Sequence, residues 1–450
     1  MEKSFYKKLL SIALPITVQN MISYSVNMMD TLMIGSLGEN VLSAAALAGQ
    51  IFFMFSLLIG GIASGASVLA SQYYGKGDMK NLRIVASMTL KIAAGIGMAF
   101  VLVLLAVPGG ILRLFTPETE VVKLGASYLR TIAFSYLFYA VTTTFLILLR
   151  SMQDVALSLR IYVISLVINV IGNYIFIFGK FGAPKMGIVG AAIGTILARG
   201  TEVVLVLMYL GYKEKTLKFR PVMLKLHDQK ILKNLIKYGL PVTVGEFLWG
   251  LGVTVHSVIL GHMGAVAVAA NSICNVLHQF VLSFVQGLGS SSAVVIGNFV
   301  GAGKYDYAKK ASHALVKLFI VCAILTAVFM LAVSEPFFRF YDLTDGTLAL
   351  ARRFMLTYAV ITMFRAVASP IIVGIFWGGG DTIFATKVDM GFLWALVPFG
   401  VMAAFVLHLD PALVLLILRL ESPIKMVVAL YHLRGTKWIK SITRDAETAV

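Results

Sequence analysis

Leu14-Pro15-Ile16-Thr17-Val18 returns as Leu240-Pro241-Val242-Thr243-Val244, with Pro15 and Pro241 standing 226 positions apart. At the same offset Gly35 and Gly38 meet Gly261 and Gly264, while Gly61 and Ser64 meet Gly287 and Ser290. Val68 then meets Val294, Gly75 and Gly77 meet Gly301 and Gly303, and Lys91 meets Lys317. The matches fall on Pro and Gly, whose backbone demands chance rarely reproduces. The correspondence persists further, with Tyr128 opposite Phe354 and, after one insertion, Asp154 opposite Asp381. A repeat this long means two copies of one bundle.

The bundle belongs in a membrane. The chain is 59% hydrophobic and only 13% charged, far from the mix of a soluble domain. Stretches long enough to span, about 20 residues each, fall near 10–36, 44–72, 85–114, 119–149, 157–179, 186–211, 236–262, 267–298, 309–340, 348–377, 383–408 and 411–433. The expected fold is therefore an all-α polytopic membrane protein of twelve transmembrane helices in two six-helix lobes. The only long polar connection runs from about Gly211 to Asn234, and it divides the chain into an N-lobe, 1–225, and a C-lobe, 226–450. An even number of spans per lobe makes the repeats parallel, related by a pseudo-two-fold axis along the membrane normal.

The net charge of +17 is topology rather than a nucleic-acid surface. Basic residues crowd the N-terminus (Lys3, Lys7, Lys8), the even connections (Lys76, Lys80, Arg83; Arg150, Arg160; Lys213 to Lys237; Lys304, Lys309, Lys310) and the tail (Arg434, Lys437, Lys440, Arg444). Odd connections carry Glu39, Glu118, Glu120, Asp342, Asp345 and Asp410, with Lys180 and Lys185 as exceptions. The positive-inside rule then places both termini in the cytoplasm of a cell membrane. Cys274 and Cys322 lie inside spans with no metal spacing and read as packing residues. The first apolar run is too long for a signal peptide and carries Pro15, Asn20 and Asp30, so it reads as an uncleaved helix.

Ionisable and polar residues within spans are costly and therefore candidates for function. Asp30 stands eight residues before Gly38, which puts it ~12 Å below the outer end of the first span. Asn173 and, one turn deeper, Asn169 share a face of the fifth span. Thr195 and Tyr128 reach similar depth, so these five residues can ring one N-lobe cavity. Burial penalises the charged form of such a carboxylate, which suits reversible protonation or loading of a hard cation; structural glue between helices is the competing reading. In the C-lobe the repeat mate of Asp30 is His256, and that of Asn173 at the shifted offset is Gly400. The acids there are Glu246 and Asp389, with Arg365 at comparable depth, and we expect a charge cluster of the three. The alternative pairs Asp389 with Lys387 and leaves Glu246 structural. Arg199 and Glu202, three apart, neutralise each other, which leaves Arg365 as the one other mid-span cation. Gly61 with Gly65, Gly190 with Gly194, and Gly297 with Gly301 have helix-packing spacing.

No phosphate-binding loop, no His-Glu-x-x-His and no Gly-x-Ser-x-Gly occurs, so a membrane enzyme is disfavoured and no cofactor is expected. Leu14-Pro15 followed by Asp30-Thr31 and Gly35, the Gln72-Tyr73-Tyr74-Gly75-x-Gly77 loop and Asn169-x-x-x-Asn173-Tyr174 resemble the multidrug and toxic compound extrusion (MATE) family. Asn298-Phe299-Val300-Gly301-x-Gly303 and the ending Lys437-Trp438-Ile439 fit the same pattern, and the resemblance covers essentially the full chain. It implies a monomeric V-shaped antiporter exporting amphipathic organic cations by alternating access, driven by H+ or Na+ entry. By resemblance Asp30 is the coupling acid, Asn169 a ligand beside it (both metal ligands if the ion is Na+), Tyr128 and Thr195 their neighbours, and Pro15, with its mate Pro241, a hinge. The departure is Asn173, where many relatives carry a second acid, and this favours H+. The alternative within the same superfamily is a lipid-linked sugar flippase, which would be expected to carry a more cationic cavity.

Overall fold

The computed structural model describes residues 3–214, 217, 220–341 and 343–443; Asp342 and Arg444 of the charge pattern lie outside the described residues. Among the described residues, eleven helices are long and apolar enough to cross a membrane: α1 Lys3–Gly35, α2 Glu39–Lys76, α3 Met79–Ala106, α4 Thr119–Ser151, α5 Ala156–Phe178, α6 Ile188–Tyr212, α7 Gln229–Gly261, α8 Ala265–Gly301, α9 Tyr305–Phe338, α10 Asp345–Gly379 and α11 Thr382–Val406. The twelfth expected span, α12, is two shorter helices, Pro411–Arg419 and Glu421–Arg434, meeting at Leu420. Among the described residues the only β pairing is an isolated bridge between Gly380 and Ile439. The protein is an all-α polytopic membrane protein.

The repeat is conformational as well as textual. α1 and α7 end on Gly35 and Gly261, and α3 and α9 begin at Met79 and Tyr305, mates at the same offset. Between α1 and α2 the chain turns through Gly38 at φ +115°, and between α7 and α8 through Gly264 at φ +112°. Gly77 and Gly303 close the next pair of turns at φ +79° and +72°. A side chain at any of these four would be strained. Local deviations fall in both copies. In the first, α3 gives way after Ala106 to a short helix Pro108–Arg113 where its mate α9 runs on to Phe338. In the second, π-helical turns occupy Leu235–Gly239 before Pro241, Pro370–Phe376 and Met402–Val406. α1 runs α-helical through Pro15. Thr17 and Thr243, both two residues past their prolines, return their hydroxyls to the carbonyls of Ala13 (2.9 Å) and Gly239 (3.1 Å).

Two compact units form, one of residues 1–17, 71–77 and 237–450, the other of 18–70 and 78–236. The compact units thus depart from the division at 225/226 in three places: the first half of α1 and the end of α2 go with the second copy, and residues 226–236 stay with the first. The reason is a reciprocal helix crossing within the first of these units. A Cβ on Gly75 would lie 2.1 Å from the Asn298 carbonyl oxygen, and one on Gly301 would lie 1.9 Å from that of Gln72. Gln72 and Asn298 are themselves mates, so the contact has the i-to-j, j-to-i form of a two-fold interface. In the same unit Gln72 fixes the chain end: its Nε2 donates to the carbonyls of Gly378 and Lys440 (3.2 Å each) and its Oε1 accepts from the Ile442 amide (3.0 Å). Trp438 is fully buried there.

Each unit has its own core. In the 18–70/78–236 unit the Phe55 ring packs at a tilt, 4.8 Å from those of both Phe100 and Tyr136, joining α2, α3 and α4. In the other, Met330, Phe354, Tyr358, Leu415 and Leu418 of α9, α10 and α12 pack together. Apolar side chains left exposed on α9, among them Val321, Leu325 and Phe329, are those expected of a face turned to lipid.

Candidate functional site

The N-lobe residues meet. α1 brings Asp30, α5 brings Asn169 and Asn173, and α6 brings Thr195. Asn173 Nδ2 donates to Asp30 Oδ1 at 2.5 Å and, more weakly, to Asn169 Oδ1 at 3.4 Å. Asn169 Nδ2 in turn donates to Thr195 Oγ1 at 3.4 Å, and that hydroxyl donates to the Ala191 carbonyl. Both amides are buried while Asp30 is half-buried. Tyr128 of α4 packs beside Ile34, Ile177 and Ala191, within electrostatic reach of Asp30. Among the described residues no cation is ion-paired to Asp30. Arg199, whose charge acts on it, is held elsewhere, with its Nη1 donating to both Glu202 oxygens at 3.0 Å. Ser165 completes that pair by donating to Glu202 at 2.5 Å, and the Tyr139 ring lies 5.1 Å from the guanidinium.

Two glycines make the Asp30 site geometrically possible. A Cβ on Gly190 would stand 2.4 Å from the Phe176 carbonyl, and one on Gly194 would stand 2.3 Å from Asn173 Oδ1 and 2.9 Å from its backbone nitrogen. The small-residue spacing on α6 is therefore not packing alone, since it seats α5 close enough to aim Asn173 at α1. Asn173 Oδ1 is buried without a partner among the described residues, facing the bare Cα of Gly194. The C-lobe has no such arrangement. A Cβ on Gly400, which replaces the amide, would sit 2.2 Å from Leu418 Cδ2, and His256 is buried with neither ring nitrogen partnered among the described residues.

The charge cluster expected from Glu246, Asp389 and Arg365 is larger than those three. Lys425 of α12 donates to Asp389 at 2.7 Å and also pairs with Glu421. Asp389 is thus not paired with Lys387. Arg365 stacks over Trp249 at 5.9 Å and feels Arg419, Glu421 and Asp389. Glu246 feels Asp389 but has no ion-pair partner among the described residues. Arg419 lies 5.9 Å from the Tyr358 ring, whose hydroxyl donates to Asn271 at 2.8 Å. His278 packs at 4.5 Å on the same ring. The expectation that Arg365 is the one mid-span cation besides Arg199 is therefore corrected: Arg419 and Lys425 are buried in α12. Their signal was legible, because Glu421 and Lys425 stand four apart in a span, the spacing of a helical ion pair.

No group of three or more His, Cys, Asp or Glu with the closeness of a metal site occurs among the described residues. The two cysteines are free and buried.

Comparison with known proteins bears on these sites. The family model described as MatE matches twice, over residues 15–175 and 241–417, so the two matches begin on the two prolines of the repeat. The chain is 25% identical over 446 residues to the probable multidrug resistance protein YoeA of Bacillus subtilis, covering 96% of this chain and 93% of that one. A solved MATE structure in complex with MaL6 superposes with a TM-score of 0.87 at 16% identity over 95% of each chain. A MOP superfamily transporter from Pyrococcus furiosus, described as having a binding pocket of reverse polarity that suggests a different function, superposes with a TM-score of 0.85 at 16% identity over 95% of each chain. With both copies of its duplicated bundle matched, this chain belongs to the MatE family of multi-pass membrane transporters.

Proposed function

We propose that this protein is a secondary active antiporter that exports amphipathic organic cations from the cell in exchange for protons, by alternating access. The observation that carries this reading is Asp30, a half-buried carboxylate with no ion-pair partner among the described residues, held by the Asn173 amide. Ionised, it is a counter-charge for one cation at a time. Protonated, it loses its charge-assisted bond to Asn173 and its hold on a cationic guest. A proton and an organic cation then compete for one acid, which is the coupling an exchanger needs.

The same geometry favours H+ over Na+ as the driving ion. A sodium ion asks for several oxygens, whereas Asn173 presents its N–H donor to Asp30 and turns its oxygen toward Gly194. The C-lobe cluster, with Lys425 bonded to two carboxylates, suits a latch between helices. The charge bias of the connections supports cytoplasmic termini, and the protein acts as a monomer in the cell membrane.

A second reading, flipping of an anionic lipid-linked substrate, draws on Arg365, Arg419 and Lys425. It is disfavoured because Glu246, Asp389 and Glu421 lie among them in equal number.

The test is ethidium efflux from proteoliposomes, with pH and sodium gradients imposed separately. Efflux that follows the pH gradient and is abolished by Asp30→Asn is expected; full efflux by that variant, or efflux driven by sodium alone, refutes the assignment.

A further inference from the structure

One face of the duplicated bundle is covered in the first copy and bare in the second. On α3, Arg83 Nε donates to the Leu217 carbonyl at 2.7 Å, and Ser87 and Lys91 donate to that of Leu226 at 3.1 and 2.8 Å. Three residues spaced by four thus hold the connecting segment against the helix. Their mates at offset 226 are Lys309, His313 and Lys317 on α9, and no segment among the described residues covers them. Instead they line an open cleft of about 1060 Å³, wholly within the 1–17/71–77/237–450 unit.

The lining of that cleft has a definite chemistry. Lys8 of α1 and Lys310 join Lys309, His313 and Lys317, against Asp306 as the one acid among the described residues. Phe5, Tyr6, Phe299 and Tyr307 supply aromatic walls. Such a mix of cations and aromatic rings at the end of a membrane helix is the composition of the headgroup zone. The i, i+4 ridge that carries Lys309, His313 and Lys317 continues as Val321, Leu325 and Phe329, all exposed and apolar. A cationic end therefore runs without a break into an apolar stripe about 12 Å long at 1.5 Å per residue.

We propose that this cleft binds an anionic glycerophospholipid, its phosphate among Lys309, Lys317 and Lys8 and one acyl chain along Val321, Leu325 and Phe329. The acceptor oxygens that the peptide carbonyls of Leu217 and Leu226 supply in the first copy are supplied here by the phosphate. Asp306, an acid in the same lining, disfavours a second anionic group beside the first, so a single phosphodiester is the fitting ligand.

Native mass spectrometry of the purified full-length protein, titrated with phosphatidylglycerol, phosphatidylcholine or inorganic phosphate, tests this. The double variant Lys309→Gln/Lys317→Gln should bind phosphatidylglycerol ~30-fold more weakly than the wild type, two surface cations having been removed. Phosphatidylcholine should bind both proteins alike. A Leu325→Gln variant, with the cations intact, should also retain less phosphatidylglycerol. Equal phosphatidylglycerol binding by wild type and double variant overturns the proposal. So does displacement by equimolar inorganic phosphate, which would assign the cleft to a free anion.

Discussion

Gly194→Ala is the smallest change that addresses the Asp30 site without touching any of its polar groups. The added Cβ stands 2.3 Å from Asn173 Oδ1 and 2.9 Å from Asn173 N, short of van der Waals contact by about 1 Å. Rotation of the amide or displacement of α5 by that amount carries Nδ2 away from Asp30, and a donor now at 2.5 Å passes out of hydrogen-bonding range. The lost bond to an ionised group is worth about 1.5–3 kcal/mol, with overpacking adding about 1–3 kcal/mol to the folded state. Gradient-driven ethidium efflux should therefore fall by about tenfold or more, with a lower melting temperature in detergent. Gly60→Ala, whose Cβ meets nothing within 4 Å, serves as the control and should transport normally. In an Asn173→Ala background, Gly194→Ala should cost much less than it does alone, because the clashing oxygen is gone. Wild-type efflux and melting by Gly194→Ala would refute the claim that α6 glycines aim Asn173 at Asp30.

Lys425→Met should lower stability by about 3–5 kcal/mol, since it leaves buried Glu421 and its neighbour Asp389 without their shared cation; Lys425→Met/Glu421→Gln should recover part of the melting temperature, and an unchanged melt in the single variant would show that the pair is not structural. Gly75→Ala and Gly301→Ala each place a Cβ about 2 Å from a backbone oxygen of the other helix. Each should lower the melting temperature, and the double variant should cost less than the sum because both loosen one crossing, as a thermal-shift series would read.

Much of the architecture was open to a reader of the chain because hydrophobic length and repeated Pro and Gly are local properties. The extent of each long helix follows from apolar composition, and the turns at Gly38 and Gly264 follow from a conformation that only glycine adopts without strain. The break in α12 at Leu420 was legible in the chain although the span was read as continuous, because Arg419, Glu421, Ser422 and Pro423 surround it and a proline belongs to the first turn of a helix rather than its interior. Asp30, Asn169, Asn173 and Thr195 were placed at one depth by counting residues, and depth brought them together because the polar groups at that level of α1, α5 and α6 have each other as partners. Counting did not reach Arg419 and Lys425. The spacing of Glu421 and Lys425 announced a helical ion pair, but their burial and their further partner Asp389 depend on which face α12 turns to α10 and α11, which the packing of whole helices decides.

The chain by itself determined that there are two copies of one bundle, that they span a membrane, and that the acid of the first copy has no counterpart in the second. These are facts of sequence identity at fixed spacing. Only the tertiary structure decided the pairings: that Asn173 bonds Asp30 while Arg199 is committed to Glu202, and that Lys425 rather than Lys387 meets Asp389. It alone showed that the face built by Arg83, Ser87 and Lys91 is covered while that of Lys309, His313 and Lys317 stands open. The physical reason is that a side chain's partner is set by the rotation and approach of whole helices. Close packing fixes both through contacts, such as Gly194 on Asn173, between residues distant in the chain.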